Sequence, residues 1–365
     1  MAYDGIQYGN RVDNFTERKL YAKVADNVLN SATYGARLMG MGKKFVGKTM
    51  DFTVKVTDSG LGEFFTGLET LTTSASDTTI TLSYAQTGFA QPVVSIMMDS
   101  FANSGEAQTI SLDQYKLEEA EGEASSRLGT ATYGTGSGNQ PLGLEAHIDD
   151  GTNATTIGGQ SRTTYTNLRS TVTASGGTLS LSKLATLEDT ISASGSDTET
   201  PNVNLTTKTV WSLFEQLLQP TVRADYQAIG YPRLSVRGDS IVSQADLQGN
   251  AGFTVLTFRG KPVIKDDKCT SGVWYMINER YLFWAGRTEV PEAYKDYLEK
   301  ISLGDRKTVE GVMSQYKLPS TNGWFFQKRM MLPNQAGMVG RIYVIGQVVG
   351  NQPRRHGKLT GVTGI

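Results

Sequence analysis

Apolar and polar positions alternate in two blocks of the N-terminal third. Met50, Phe52, Val54 and Val56 interleave with Thr49, Asp51, Thr53 and Lys55, and further on Ile80, Leu82 and Tyr84 interleave with Thr79, Thr81 and Ser83. A period of two puts each set on its own face of an extended chain, so both blocks predict half-buried strands. The joining segment, Asp58 to Asp77, mixes Gly60, Gly62 and Gly67 with Phe64, Phe65, Leu68 and Leu71. Together these predict a long hairpin with an apolar tip. Such a tip either folds back as a local cluster or meets another chain, and exposed apolar surface usually marks the second.

The period then turns helical. Ser111-Leu112-Asp113-Gln114 fits a capping box. Leu117, Ala120, Ala124, Leu128 and Ala131 form one stripe, Glu118, Glu119, Glu121 and Glu123 fill most of the rest, and Gly134 is placed to stop the helix. A helix over 111–133 is expected, followed by a glycine-rich turn from Tyr133 to Leu144, then short strands and loops over 145–178. Leu184, Leu187 and Ile191 predict a helix over 180–193. The polar stretch Ser194–Asn204 reads as a boundary. Beyond it, Ser212-Leu213-Phe214-Glu215 predicts the start of a helix that Pro220 ends or kinks. Strands are expected at Phe253–Phe258, Pro262–Ile264, Val273–Ile277, Tyr281–Trp284, Trp324–Phe326 and Ile342–Val349. Residues 1–41 show few apolar positions and no clean period, the pattern of a segment that is mobile or laid along a neighbour. The last residues, with Arg354, Arg355 and Lys358, read as a polar tail.

Composition narrows the function classes. The chain has 365 residues, 35 Lys+Arg against 36 Asp+Glu, and 40 glycines. The length allows two or three compact units. Balanced charge argues against a dedicated nucleic-acid binder, and the glycine content suits strands, turns and extended segments. A lone cysteine, Cys269, excludes intrachain disulfides and multi-cysteine zinc sites; it reads as structural. The absence of a basic leader or a long apolar run predicts a soluble, cytosolic product with no membrane partner.

Candidate chemistry is sparse. Gly42-Lys43-Lys44-Phe45-Val46-Gly47-Lys48-Thr49 matches the phosphate-loop pattern letter for letter. A working phosphate loop needs a helix starting at Lys48, and the alternation after Thr49 predicts a strand instead. His147, beside Asp149 and Asp150, reads as a loop histidine with solvated neighbours rather than a metal ligand or general base. No G-x-S-x-G elbow occurs. Neither catalytic residues nor a cofactor or metal is expected. From Gly323 to Ile365 there are six Lys/Arg and no acidic residue, whereas the 111–133 helix is acid-rich. That separation suits complementary subunit contacts or, more weakly, packaged nucleic acid, and equally a solvated basic tail.

The succession of elements resembles the major capsid proteins of tailed bacteriophages, the Hong Kong 97-type fold shared with encapsulins. Local echoes are Tyr133-Gly134-Thr135-Gly136 leading to Asn139-Gln140-Pro141-Leu142-Gly143-Leu144, and Gly260-Lys261-Pro262-Val263-Ile264 followed by Gly272-Val273-Trp274-Tyr275-Met276. The resemblance implies an α+β subunit. Its parts would be an N-terminal arm over 1–41, a hairpin E-loop over 42–97, a P-domain over 98–200 and 323–350 with its spine helix, an A-domain over 201–322, and a tail over 351–365. It also implies hexamers and pentamers of an icosahedral phage head around double-stranded DNA, with scaffolding and portal proteins as partners. The location would be the virion capsid, made and assembled in the host cytoplasm. Because the chain starts directly with its arm at Met1, scaffolding is expected as a separate protein. No lysine lies between Lys55 and Lys116, so a covalent cross-link from the hairpin tip is not expected. Non-covalent locking through Phe64, Phe65, Leu68 and Leu71 is expected instead. Arg354, Arg355 and Lys358 are the candidate basic contacts. An encapsulin-like compartment is the second expectation and a nucleotide-binding protein a distant third.

Overall fold

The computed structural model describes residues 33–71, 74, 76–102, 112–193, 195, 199–222, 256–295, 298–300, 323–331 and 335–365. Strands β2 (Thr49–Lys55) and β3 (Thr79–Ala85) form the expected antiparallel hairpin, with Met50 opposite Tyr84, Phe52 opposite Leu82 and Val54 opposite Ile80. The even-numbered residues face inward, as the alternation requires. Phe52 meets Tyr84 and Phe283 edge-on, at 6.4 and 6.1 Å between ring centres. The Tyr84 hydroxyl donates to the Gly350 carbonyl at 2.6 Å, which fastens the hairpin root to the sheet below.

That sheet is organised by its longest strand, β13 (Gly337–Gly350). One edge is covered by β4 (Thr87–Ile96), paired from Gly337 opposite Ile96 to Gly346 opposite Thr87. The other edge is shared: β12 (Trp324–Met331) takes the first part and β10 (Leu282–Gly286) the last. Short strands β1 (Lys43–Lys44) and β11 (Leu298–Lys300) complete it. Helix α3 (Leu112–Tyr133) lies on this sheet, burying Leu117, Ala120, Ala124 and Leu128 with Val93, Ile342, Val344 and Trp324. Ser111 of the expected capping box lies outside the described residues.

Helix α1 (Thr33–Gly40) also packs here, burying Tyr34, Leu38 and Met39. The pattern of apolar positions predicts no element in this stretch. Long-range partners stabilise it: the Tyr34 amide donates to Asp266 Oδ2 at 2.8 Å, and Arg37 grips both oxygens of Glu279 at 2.7 and 2.8 Å. Residues 1–32 of the expected arm over 1–41 lie outside the described residues.

The second sheet runs in the order β7 (Thr257–Phe258), β8 (Lys261–Lys265), β6 (Val203–Thr206), β9 (Trp274–Ile277), β14 (Gly357–Leu359) and β5 (Thr171–Thr173). Helices α5 (Leu181–Ser192) and α6 (Lys208–Val222) cover it, and Leu184, Ile191, Val210, Phe214 and Trp274 form its core. Helix α6 starts before the predicted capping box. Thr207 Oγ1 accepts from the Val210 amide at 3.4 Å, whereas the Ser212 hydroxyl donates back to Lys208 O within the helix. Nor does Pro220 end the helix, which runs to Val222. Residues 253–255 of an expected strand lie outside the described residues.

The C-terminal residues are a second correction. Instead of a polar tail, β14 enters the second sheet between β9 and β5, and Val362–Gly364 pairs with Gly177–Thr178. Gly357 suits the fit, since a β-carbon there would stand 2.9 Å from the Thr171 carbonyl oxygen of the paired strand.

Candidate assembly surfaces

The hairpin strands diverge into a tip whose apolar side chains touch almost nothing. Phe64 and Leu68 are wholly exposed, at 105 and 110% of their reference areas, and Phe65 and Leu71 are 62 and 48% exposed. The tip therefore does not fold back into a local cluster. Four large apolar side chains in water are a standing cost that only another surface relieves.

A second apolar region was not legible in the sequence. It lies at the end of the first sheet, where β4 runs into helix α2 (Met97–Ala102) beside the paired ends of β12 and β13. Met331 pairs with Met338, which pairs with Ser95; Met330 pairs with Val339, which pairs with Val94. Ile96, Met97, Met98, Phe101, Met330, Met331 and Met338 are all exposed. The doublets Met97-Met98 and Met330-Met331 were the available signal, but neither belongs to a periodic pattern. Flexible thioethers suit contacts that must adapt to several partners.

The expected basic surface is largely withdrawn. Lys358 is fully buried, its ammonium 2.6 Å from Glu145 Oε1 and 3.6 Å from Asp149 Oδ1. Arg355 is mostly enclosed and pairs with Glu199 at 2.7 Å. Only Arg354 of the three is exposed, 3.5 Å from Asn167.

His147 and Asp149 are likewise buried rather than solvated. Beside them Arg162, also buried, spends its guanidinium on the carbonyls of Leu168, Ala154, Ala146 and His147. Asp149 Oδ2 accepts from the amides of Gly151, Asn153 and Ala154 at 2.9–3.0 Å. Burial drives the His147 imidazole down to about 4 and that of buried His356 to about 3, with His147 adding to the second shift. On α3, burial and then Glu118 push the carboxyl of Glu121 up to about 7. Cys269 is buried and its thiol is pushed up by burial, as befits a structural residue.

The phosphate-loop pattern does not form a phosphate loop. Lys43–Lys44 is a strand paired with Ala285–Gly286, Gly47 turns with φ +83°, and β2 begins at Thr49 where a helix would have to start. Lys43 lies 3.8 Å from the centre of the Phe283 ring, and Lys44 pairs with Glu289. Among the described residues no group of three or more His, Cys, Asp or Glu is placed to hold a metal, and no helix is long and apolar enough to cross a membrane.

No protein-family model matches the sequence, and no curated protein is detectably similar to it. Solved structures are similar over nearly the whole chain. The capsid asymmetric unit of cyanophage A-1(L) superposes with a TM-score of 0.69 at 15% identity, covering 97% of this chain and 99% of that one. The capsid of Myoviridae phage XM1 gives 0.56 at 12%, covering 96% and 97%. The SrpI encapsulin of Synechococcus elongatus PCC 7942 gives 0.56 at 10%, covering 97% and 95%. The chain has the fold of these shell proteins, the expected Hong Kong 97-type α+β architecture.

Proposed function

We propose that the protein is the major capsid protein of a tailed bacteriophage, which builds an icosahedral head from hexamers and pentamers around double-stranded DNA. The observation that carries this reading is the exposed apolar hairpin tip on a subunit with a shell-protein fold along its whole length. A tip reaching beyond its own core is an incomplete interface, and repeated copies complete it. In this reading Phe64, Phe65, Leu68 and Leu71 seat on a neighbouring subunit without a covalent bond, and the protein works by association, not catalysis. In this reading the E-loop spans 42–97, the P-domain 98–200 and 323–350, and the A-domain 201–322. Scaffolding and portal proteins are its assembly partners in the host cytoplasm, and packaged DNA is held without sequence specificity.

Negative-stain electron microscopy of the full chain, alone and co-expressed with its genomic neighbours, tests this. Closed icosahedral shells or hexameric and pentameric rings are expected; a persistent monomer under both conditions would sink the proposal. Likeness to the SrpI encapsulin supports a second reading, a compartment with protein cargo. Nuclease-protected nucleic acid inside particles isolated from the natural source separates the two.

A further inference from the structure

Lys358, Asp149 and Glu145 bring one ammonium and two carboxylates together in a mostly enclosed cluster. Lys358 and Asp149 are each 1% exposed, so water is excluded from both. The two ends of Asp149 are treated differently. Oδ2 sits in a nest of three backbone amides, while the enclosed Oδ1 makes no hydrogen bond and lies 3.6 Å from Lys358 Nζ. Glu145 Oε1 is 2.6 Å from the same Nζ, and its Oε2 accepts from the Tyr275 hydroxyl at 3.1 Å, which orients the carboxylate. Burying an ammonium and a carboxylate together carries a desolvation cost that their attraction only partly offsets. Joining them removes both charges.

We propose that Lys358 and Asp149 condense into an intramolecular isopeptide bond, with Glu145 carrying the protons. Glu145 first takes one proton from the ammonium and passes it to Oδ1 of Asp149, leaving a free amine beside a neutral carboxyl. The amine attacks Asp149 Cγ, and the charge that develops on Oδ2 falls on the three amides, an arrangement suited to a tetrahedral oxyanion. Glu145 then carries a second proton, released from the nitrogen, to Oδ1, which leaves as water. One C–N bond forms, one C–O bond breaks, and Glu145 ends as it began. Ammonium plus carboxylate become amide plus water, with no oxidant or co-reactant. The bond staples the C-terminal strand β14 to the loop after helix α4 (Leu144–His147).

Intact mass spectrometry of the full-length folded chain, denatured only for the measurement, tests this. The expected mass is the sequence mass less one water, with a branched peptide joining Lys358 to Asp149 in the digest. An unmodified mass overturns the proposal. So does loss of water without a branched peptide, which would mark cyclisation at Asp150-Gly151. Loss of ammonia in place of water would make Asn153 the partner and overturn the assignment to Asp149. Glu145→Gln, with circular dichroism confirming the fold, is expected to restore the unmodified mass; persisting water loss in that variant overturns the role of Glu145. Should that variant not fold, Lys358→Arg replaces it, and a branched peptide surviving there overturns the proposal.

Discussion

Gly35 of α1 and Gly129 of α3 touch where the two helices cross: a β-carbon on Gly35 would stand 3.3 Å from Gly129 Cα and equally close to the Thr132 hydroxyl. The contact lets an eight-residue helix bury Tyr34 and Leu38 against a much longer one. Gly35→Val is expected to lower stability by about 1–3 kcal/mol through overpacking. A melting temperature equal to that of the parent chain would show that the helices separate without consequence.

The hairpin tip makes the opposite prediction, because it affects assembly without affecting folding. Phe64→Ser with Leu68→Ser is expected to change subunit stability by less than about 0.5 kcal/mol, as exposed sites usually do. Particle formation, followed by size-exclusion chromatography and electron microscopy, is expected to fall sharply. Intact particles from the double variant would remove the tip from the interface.

Acid acts through the two buried histidines. Each is neutral in the folded state, with its pKa lowered from 6.5 to about 4 for His147 and about 3 for His356. The unfolded chain takes up protons near 6.5 that the folded chain refuses. Stability is therefore complete above that pH and is lost as pH falls from about 6.5 towards 4 for His147 and towards 3 for His356. At pH 5 the loss is about 2 kcal/mol for each histidine. Urea midpoints at pH 7.5 and 5 measure it, and His147→Gln with His356→Asn is expected to flatten the difference.

Glu121 slopes the other way. Its folded carboxyl titrates at about 7 against 4.5 in the open chain, so the folded state holds a proton that the unfolded state has released. Stability falls as pH rises through that window. Glu121→Gln is expected to raise the melting temperature at pH 8 and leave it nearly unchanged at pH 4.5. An equal gain at both values would exclude ionisation as the cause.

The contrast between these sites explains what could be read from the sequence. The β2–β3 hairpin was legible because Met50, Phe52 and Val54 each face a partner of the same character, and local alternation encodes that face. The helical stripe Leu117–Leu128 was legible for the same reason. Lys358 was not, because its burial depends on Glu145, 213 positions away, and nothing near Lys358 announces a countercharge. His147 was misread because Arg162 and β13 supply its surroundings. The tip was visible as greasy residues between strands, whereas the methionine-rich end arises from pairing among three segments that no single window contains.

Strand β13 lies near the C-terminal end of the sequence, yet it is the spine on which β4, β10 and β12 assemble. On a ribosome the order of emergence matters. Residues 87–96 leave the tunnel with no partner edge and wait until residue 337 and beyond have followed, a long-range pairing that is slow to form. A chain terminated before residue 337 therefore lacks the strand on which β4, β10 and β12 pair. Completion of this sheet is thus tied by topology to synthesis of nearly the whole chain.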